Sequence, residues 1–147
     1  MDFDGLMFTV SVWALPLLLA ITFHEAAHGF VAWRLGDNTA YLKGRVSFNP
    51  FRHVDPFGTI VMPALLLFAS GGKMMFGFAK PVPVAFHRLR HPRRDMVLVA
   101  LAGPGTNILL AIISALLIHT LPLFPPDVAE WVFLNLRNSI LLNMILA

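Results

Sequence analysis

The stretch that decides the fold is residues 6–33, Leu6-Met7-Phe8-Thr9-Val10-Ser11-Val12-Trp13-Ala14-Leu15-Pro16-Leu17-Leu18-Leu19-Ala20-Ile21-Thr22-Phe23-His24-Glu25-Ala26-Ala27-His28-Gly29-Phe30-Val31-Ala32-Trp33. Only His24, Glu25 and His28 break its apolar character, and it exceeds the roughly 20 residues that a helix needs to cross a bilayer. Asp2 and Asp4 precede it where a cleavable signal peptide would carry Lys or Arg, and it has no small-residue cleavage site of the usual kind. It reads as a retained spanning helix, with a bend expected near Pro16, whose ring and missing N–H disturb the helical ladder.

Three further apolar stretches lie outward from it, at 57–72, 96–121 and 128–147. The second is short, contains Pro63 and ends in Gly71-Gly72. The third is long enough to span but is interrupted by Gly103-Pro104-Gly105 and Asn107. The fourth carries Arg137 and three Asn and is still apolar at Ala147. Composition agrees: 57% of residues are hydrophobic and 13% charged, against about a quarter charged in soluble domains, and mean hydropathy is +0.72. The expected fold is an all-α polytopic membrane protein with three to four membrane segments and short extramembrane loops. It forms a single membrane-embedded domain over 1–147. A net charge of +3 is too small for a polyanion-binding surface, so no nucleic-acid partner is expected. The chain has no cysteine, which excludes disulfides, thiolate catalysis and Cys-ligated metals.

Positive charge orients the segments. The connection 34–56 holds Arg34, Lys43, Arg45 and Arg52, and the connection 73–95 holds Lys73, Lys80, Arg88, Arg90, Arg93 and Arg94. The amino terminus and the link between the third and fourth segments hold none. Residues 57–72 are either a brief span or a re-entrant segment: with both basic loops cytoplasmic the segment enters the bilayer and returns, which is the preferred reading, whereas a full crossing would place one basic loop outside. The expected location is the cell membrane, multi-pass, with the lipid bilayer as partner.

The chemistry lies in the first helix. His24-Glu25-Ala26-Ala27-His28 is an HExxH pattern, and residues four apart share a helical face, so both imidazoles can address one ion. Zinc accepts imidazole nitrogen and keeps a position for water when three protein ligands are present. Glu25, beside the first ligand, can take a proton from that water and deliver it to a leaving amine. Ala26 and Ala27 are small enough to admit a close neighbour. With six His and two Glu in the chain, the pattern arises by chance in roughly one such sequence in 300. A Glu between two His in a spanning helix is also costly without a partner. The expected site is therefore His24 and His28 on Zn2+, with Glu25 catalytic.

The blocks around this motif are similar to those of the site-2 protease family of intramembrane zinc metalloproteases (peptidase family M50). They are His24-Glu25-Ala26-Ala27-His28-Gly29, Asn49-Pro50-Phe51-Arg52-His53-Val54-Asp55-Pro56-Phe57-Gly58-Thr59, Ala79-Lys80-Pro81-Val82-Pro83-Val84, Pro92-Arg93-Arg94-Asp95 and Ala102-Gly103-Pro104-Gly105-Thr106-Asn107. The resemblance implies cleavage of peptide bonds within or beside the membrane spans of substrate proteins. It implies zinc on His24 and His28 with Glu25 as general base. The family's third ligand is an Asp in an Asn-x-x-Pro-x-x-Pro-Leu-Asp-Gly-like stretch, which this sequence lacks. Leu141-Leu142-Asn143-Met144-Ile145-Leu146-Ala147 resembles the lead-in to it, so the sequence reads as a C-terminally incomplete protease.

Other polar residues carry two readings each. His53 and Asp55 lie between turn-forming dipeptides and serve turn and cap chemistry, or else support or replace a zinc ligand. Gly103-Pro104-Gly105 permits close packing and a kink; Asn107 bonds a neighbouring backbone or holds substrate. His87 and His91 belong to a solvated basic cluster, and Arg137 requires a headgroup, a partner such as Glu130 or a polar cavity. A zincin with Glu as third ligand is disfavoured, because the only other Glu is Glu130. The alternative function is a non-catalytic membrane scaffold or inactive fragment with a vestigial zinc site. Oligomeric state is not legible.

Overall fold

A computed structural model describes residues 2–147, and all regular structure among them is helical. Helix α1 spans Phe3–Arg34, α2 Thr39–Leu42, α3 Met62–Ala69, α4 Pro92–Leu117 and α5 Pro126–Leu146. The Asp2 carboxylate starts α1 by accepting from the Gly5 N–H at 2.8 Å, which satisfies one of the donors a helix leaves open at its start. Two helical stretches are long and apolar enough to cross a membrane, α1 and Pro92–Leu123, the second being α4 with the tight turn that follows it.

Helices α1, α4 and α5 pack against one another, and their contact faces are unusually polar. The face that α4 buries holds Asp95, Val99, Gly103, Asn107 and Ser114, and the one α5 buries holds Asn135, Asn138, Leu142 and Asn143. Their outer faces carry exposed Leu98, Leu101, Ile108, Leu109, Ile112 and Leu141. Polar groups inside and bare hydrocarbon outside is the distribution a bilayer selects, since lipid offers no hydrogen bonds. This supports a membrane location.

The helix α1 runs through Pro16 without interruption. Pro16 has no N–H to give the Val12 carbonyl four residues back, and in hydrocarbon an orphaned carbonyl is costly. Asn138 Nδ2 of α5 donates to that Val12 oxygen at 2.9 Å, while its Oδ1 accepts from Arg137 at 3.2 Å. The proline thus creates the acceptor on which α5 docks.

The segment expected to re-enter leaves and returns to one place. Asp55 Oδ1 accepts from the Phe57 and Gly58 N–H groups at 3.0 and 2.7 Å, starting a wide turn that runs on into α3. Gly71 and Gly72, with φ of 65° and 84°, reverse the chain beside Leu6 and Thr9. An extended stretch then brings the Phe78 N–H back to the Gly58 carbonyl at 2.9 Å. Met75 and Ala79 of the returning arm and Leu67 of α3 join Val12, Trp13, Leu17 and Ile21 of α1 and Leu142 of α5 in one apolar core. Lys73 follows the Gly72 tip, at the amino-terminal end of α1. The sequence reading grouped it with the basic loop at the other end, a grouping the hairpin corrects.

Replacing Asn138 by Leu should leave the Val12 carbonyl unpaired and lower stability by about 1–2 kcal/mol. In a Pro16→Ala background, where a backbone N–H can take over, the loss should shrink to a few tenths, read from unfolding of all four proteins of the cycle in mixed micelles.

Candidate metal centre

The two imidazoles of α1 face α4 through a matched ladder. Val99, Gly103 and Asn107 are spaced by four on one face of α4, as His24 and His28 are on α1, and the helices run antiparallel. His28 Nδ1 lies 2.6 Å from the Val99 carbonyl oxygen, and His24 Nδ1 meets Asn107 Oδ1. A carbonyl can only accept, so His28 is the Nδ1–H tautomer and its Nε2 lone pair is free. Both Nε2 atoms then point into one space, 3.1 Å apart. Gly103 borders that space: a Cβ there would stand 2.6 Å from His24 Nε2. With Nδ1 anchored and Nε2 free, each ring is set as a metal-ligating imidazole is set.

Glu25 points to a different neighbour. Its Oε2 accepts from the Val82 N–H at 2.9 Å, in the extended segment that passes over the carboxyl-terminal half of α1. Glu25 and His28 line a cavity of about 260 Å³ with Pro81, Val82 and Val99. A second cavity of about 330 Å³ opens along α1 over Ala26 and Ala27, walled by Phe23, Phe48 and Thr106.

Buried charges pin the segment that holds Glu25. Arg45 Nη2 donates to the Lys80 carbonyl at 2.7 Å, the Lys80 N–H donates to the His53 carbonyl at 2.8 Å, and Asp37 Oδ2 accepts from the Ala85 N–H at 2.6 Å. Burial raises the Asp37 carboxyl. Hydrogen bonds from the Thr39 hydroxyl and N–H and from the Ala85 N–H outweigh that, with Arg88 adding, and hold it below 3.8. His53 is fully buried, with Nε2 donating to the Ser47 carbonyl at 2.8 Å. Burial holds its imidazole below the ordinary value, the nearby Arg45 charge adding and the Ser47 bond and Glu25 opposing.

The structure brings His24 and His28 together and sets Glu25 beside them. It sends Asp55 elsewhere, to cap the hairpin, and His53 to the loop backbone, so neither replaces a zinc ligand. Among the described residues no group of three or more His, Asp or Glu side chains converges. Asn107, read from sequence as a backbone or substrate partner, does donate to a neighbouring backbone, the Ala20 carbonyl at 3.3 Å, and in addition contacts His24. The sequence reading missed Val99 and Val82, which act through backbone atoms. A spacing-of-four comparison between the two apolar helices would have paired Val99, Gly103 and Asn107 with the histidines.

Comparison with known proteins fits this geometry. The chain is 42% identical over 104 residues to "Putative zinc metalloprotease YwhC" of Bacillus subtilis (strain 168), covering 71% of this chain and 43% of that protein. It is 35% identical over 135 residues to a protein of Mycobacterium tuberculosis (strain ATCC 25618 / H37Rv) named "Putative zinc metalloprotease Rip2", covering 87% of this chain and 49% of the relative. The similarity supports a zinc metalloprotease family. In each case the aligned region spans less than half of the relative's length. No family model and no solved structure matches the chain.

The Asp37 geometry fixes a pH dependence. Because folding lowers its carboxyl below 3.8, its stabilisation is complete above that value and is lost as pH falls through the folded value. Asp37→Asn should lower stability at neutral pH and flatten the acid limb of the stability curve, measured by unfolding across acid pH.

Proposed function

We propose that the chain is the membrane-embedded core of an intramembrane zinc metalloprotease of the site-2 type, cleaving peptide bonds within or beside the spans of membrane proteins. The observation that carries this reading is the pair of Nε2 atoms turned toward each other at 3.1 Å, each on a ring whose Nδ1 is held by α4, in an apolar helix long enough to span. Zn2+ is the expected cofactor, held by His24 and His28. The donor set fits: both rings present a lone pair to one space, and Gly103 leaves that space open. These residues supply two of the three protein ligands that catalytic zinc typically takes. The bound ion would polarise a scissile carbonyl and activate water.

The protein's own groups supply the rest. Glu25 Oε2 is occupied by the Val82 N–H, which leaves Oε1 to accept a proton from the attacking water and return it to the departing amine. Phe23 and Phe48, stacked at 4.7 Å, and Ala26 and Ala27 offer an apolar trough beside the histidines in which a spanning segment of a substrate can lie. On the helix rise of 1.5 Å per residue, the pair sits about 9–15 Å in from Arg34, inside the hydrocarbon if Arg34 marks its edge.

The return of the 57–78 hairpin to Gly58 supports a re-entrant segment. With it, Lys43 and Arg90 share the cytoplasmic side in a multi-pass protein of the cell membrane. Single cysteines at these two positions should both resist a membrane-impermeant thiol reagent in intact cells; labelling of Arg90→Cys alone would make the hairpin a crossing.

Zinc binding and cleavage test the reading. Gly103→Ala should weaken zinc more than about tenfold, whereas Gly105→Ala, with open space around its Cβ, should not. In a protein that also carries the third zinc ligand, Glu25→Gln should keep zinc and lower cleavage of a reconstituted spanning peptide by at least about 100-fold. Absence of zinc binding in the unmodified protein would favour a scaffold with a vestigial site.

A further inference from the structure

We propose that Asn143 of α5 is a positioning residue for the metal centre: with Asn107 it forms a one-way hydrogen-bond chain that fixes the tautomer of His24. The inference rests on the reading of His24 and His28 as metal ligands, and deepens it.

The chain has two fixed ends. Asn143 Nδ2 donates to the Ser139 carbonyl at 2.8 Å, and a carbonyl can only accept, so the Asn143 amide is turned with Oδ1 toward α4. Asn107 Nδ2 donates to that Oδ1 at 2.7 Å and to the Ala20 carbonyl at 3.3 Å. Its nitrogen is therefore committed twice, and its Oδ1 is left to face His24 Nδ1. An amide oxygen accepts, so His24 must carry its proton on Nδ1 and keep the Nε2 lone pair free. Two backbone carbonyls, passed through two amides, decide which nitrogen of a third side chain can bind a metal.

A merely structural role does not require this directionality. Asn138, five residues earlier on the same helix, is equally buried and also bonds α1, but its partner is the Val12 carbonyl and no path leads from it to a histidine. Asn143 and Asn107 are 1% and 0% exposed, so water does not compete for the chain, and a flipped amide would oppose like atoms at every link.

The test uses the whole chain in micelles, labelled with 15N on histidine and free of metal, at alkaline pH. His24, assigned by the signal lost in His24→Gln, is expected wholly as the Nδ1–H form; an Nε2–H form or a mixture overturns the proposal. Asn143→Leu should release His24 into a mixture and weaken Zn2+ binding about tenfold in chelator competition. Asn138→Leu should leave the tautomer unchanged and the affinity within about twofold. Equal effects of the two variants would reduce Asn143 to a packing residue and overturn the proposal. If Asn143→Leu does not fold, Asn143→Ser, too short to reach Asn107, carries the same expectations. Failure of the two readings is separable. A fixed tautomer released by Asn143→Leu in a chain that binds no zinc refutes the metal centre alone. Equal zinc affinity in the unmodified protein and Asn143→Leu, with His24 unmoved, refutes the positioning chain alone.

Discussion

The contact of the two histidine Nδ1 atoms with α4, His28 on the Val99 carbonyl and His24 on the Asn107 amide, is the interaction on which the remaining architecture turns. An imidazole in hydrocarbon must satisfy the nitrogen it does not offer to a metal, and α1 cannot do so alone because its own carbonyls are spent on its helix. The partner must come from a neighbour at matching depth, with matching spacing and no side chain between. Val99, Gly103 and Asn107 meet those conditions together. Any slip of α4 by one residue would rotate Gly103 away and place a bulkier side chain against the rings. The register of the helix pair is thereby set by hydrogen bonding rather than by apolar packing, which lipid would tolerate in many arrangements.

The third helix follows from the same constraint. Once Asn107 has turned its oxygen to His24, its nitrogen needs acceptors, and Asn143 supplies one. Pro16 leaves the Val12 carbonyl without its helical donor, and Asn138 supplies one. Ser114 and Ser139 pair at 2.8 Å between α4 and α5. Helix α5 is thus less apolar than α1 or α4 for a physical reason. It donates to groups the other two cannot satisfy, and its polar face is affordable only when all three are assembled.

Much of this was legible in the sequence because its strongest signals are local. The apolar run ending in His24-Glu25-Ala26-Ala27-His28 specifies a helix and a shared face through spacing alone, and the apolar stretches gave α1, α4 and α5 within a few residues. Residues 57–72 were open between a short span and a segment that turns back; the Gly71-Gly72 reversal and the Phe78–Gly58 hydrogen bond make the chain a hairpin. What was hidden depends on backbone atoms and on depth. Nothing in the letter Val99 announces a carbonyl for His28. Lys73 belongs by sequence to a basic loop and by geometry to the tip of a hairpin. Asp55 was open between cap and ligand because both uses ask for a carboxylate beside a turn; only the directions of the Phe57 and Gly58 N–H groups decide it. Asn107 was flagged as bonding a neighbouring backbone or a substrate; the backbone bond to Ala20 is there, but the contact with the His24 ring was not foreseen.

The segment over Glu25 shows the same economy in extended chain. A strand laid against a carboxylate in an apolar setting presents N–H groups on alternate sides, and those facing away would lack acceptors. Pro81 and Pro83 remove the N–H on either side of Val82, so the sole donor of this tripeptide goes to Glu25. The segment is anchored in turn to Arg45 and Asp37, both buried, and not to flexible surface groups. A backbone donor fixed by two buried charges holds Glu25 Oε2 without carrying a proton that could titrate, and it leaves Oε1 unpaired by this segment. Under the proposed function, in which Glu25 serves as the general base, that arrangement holds the carboxylate in place while keeping one oxygen free. Pro-Val-Pro would then belong to the base's setting, even though no side chain in it is polar.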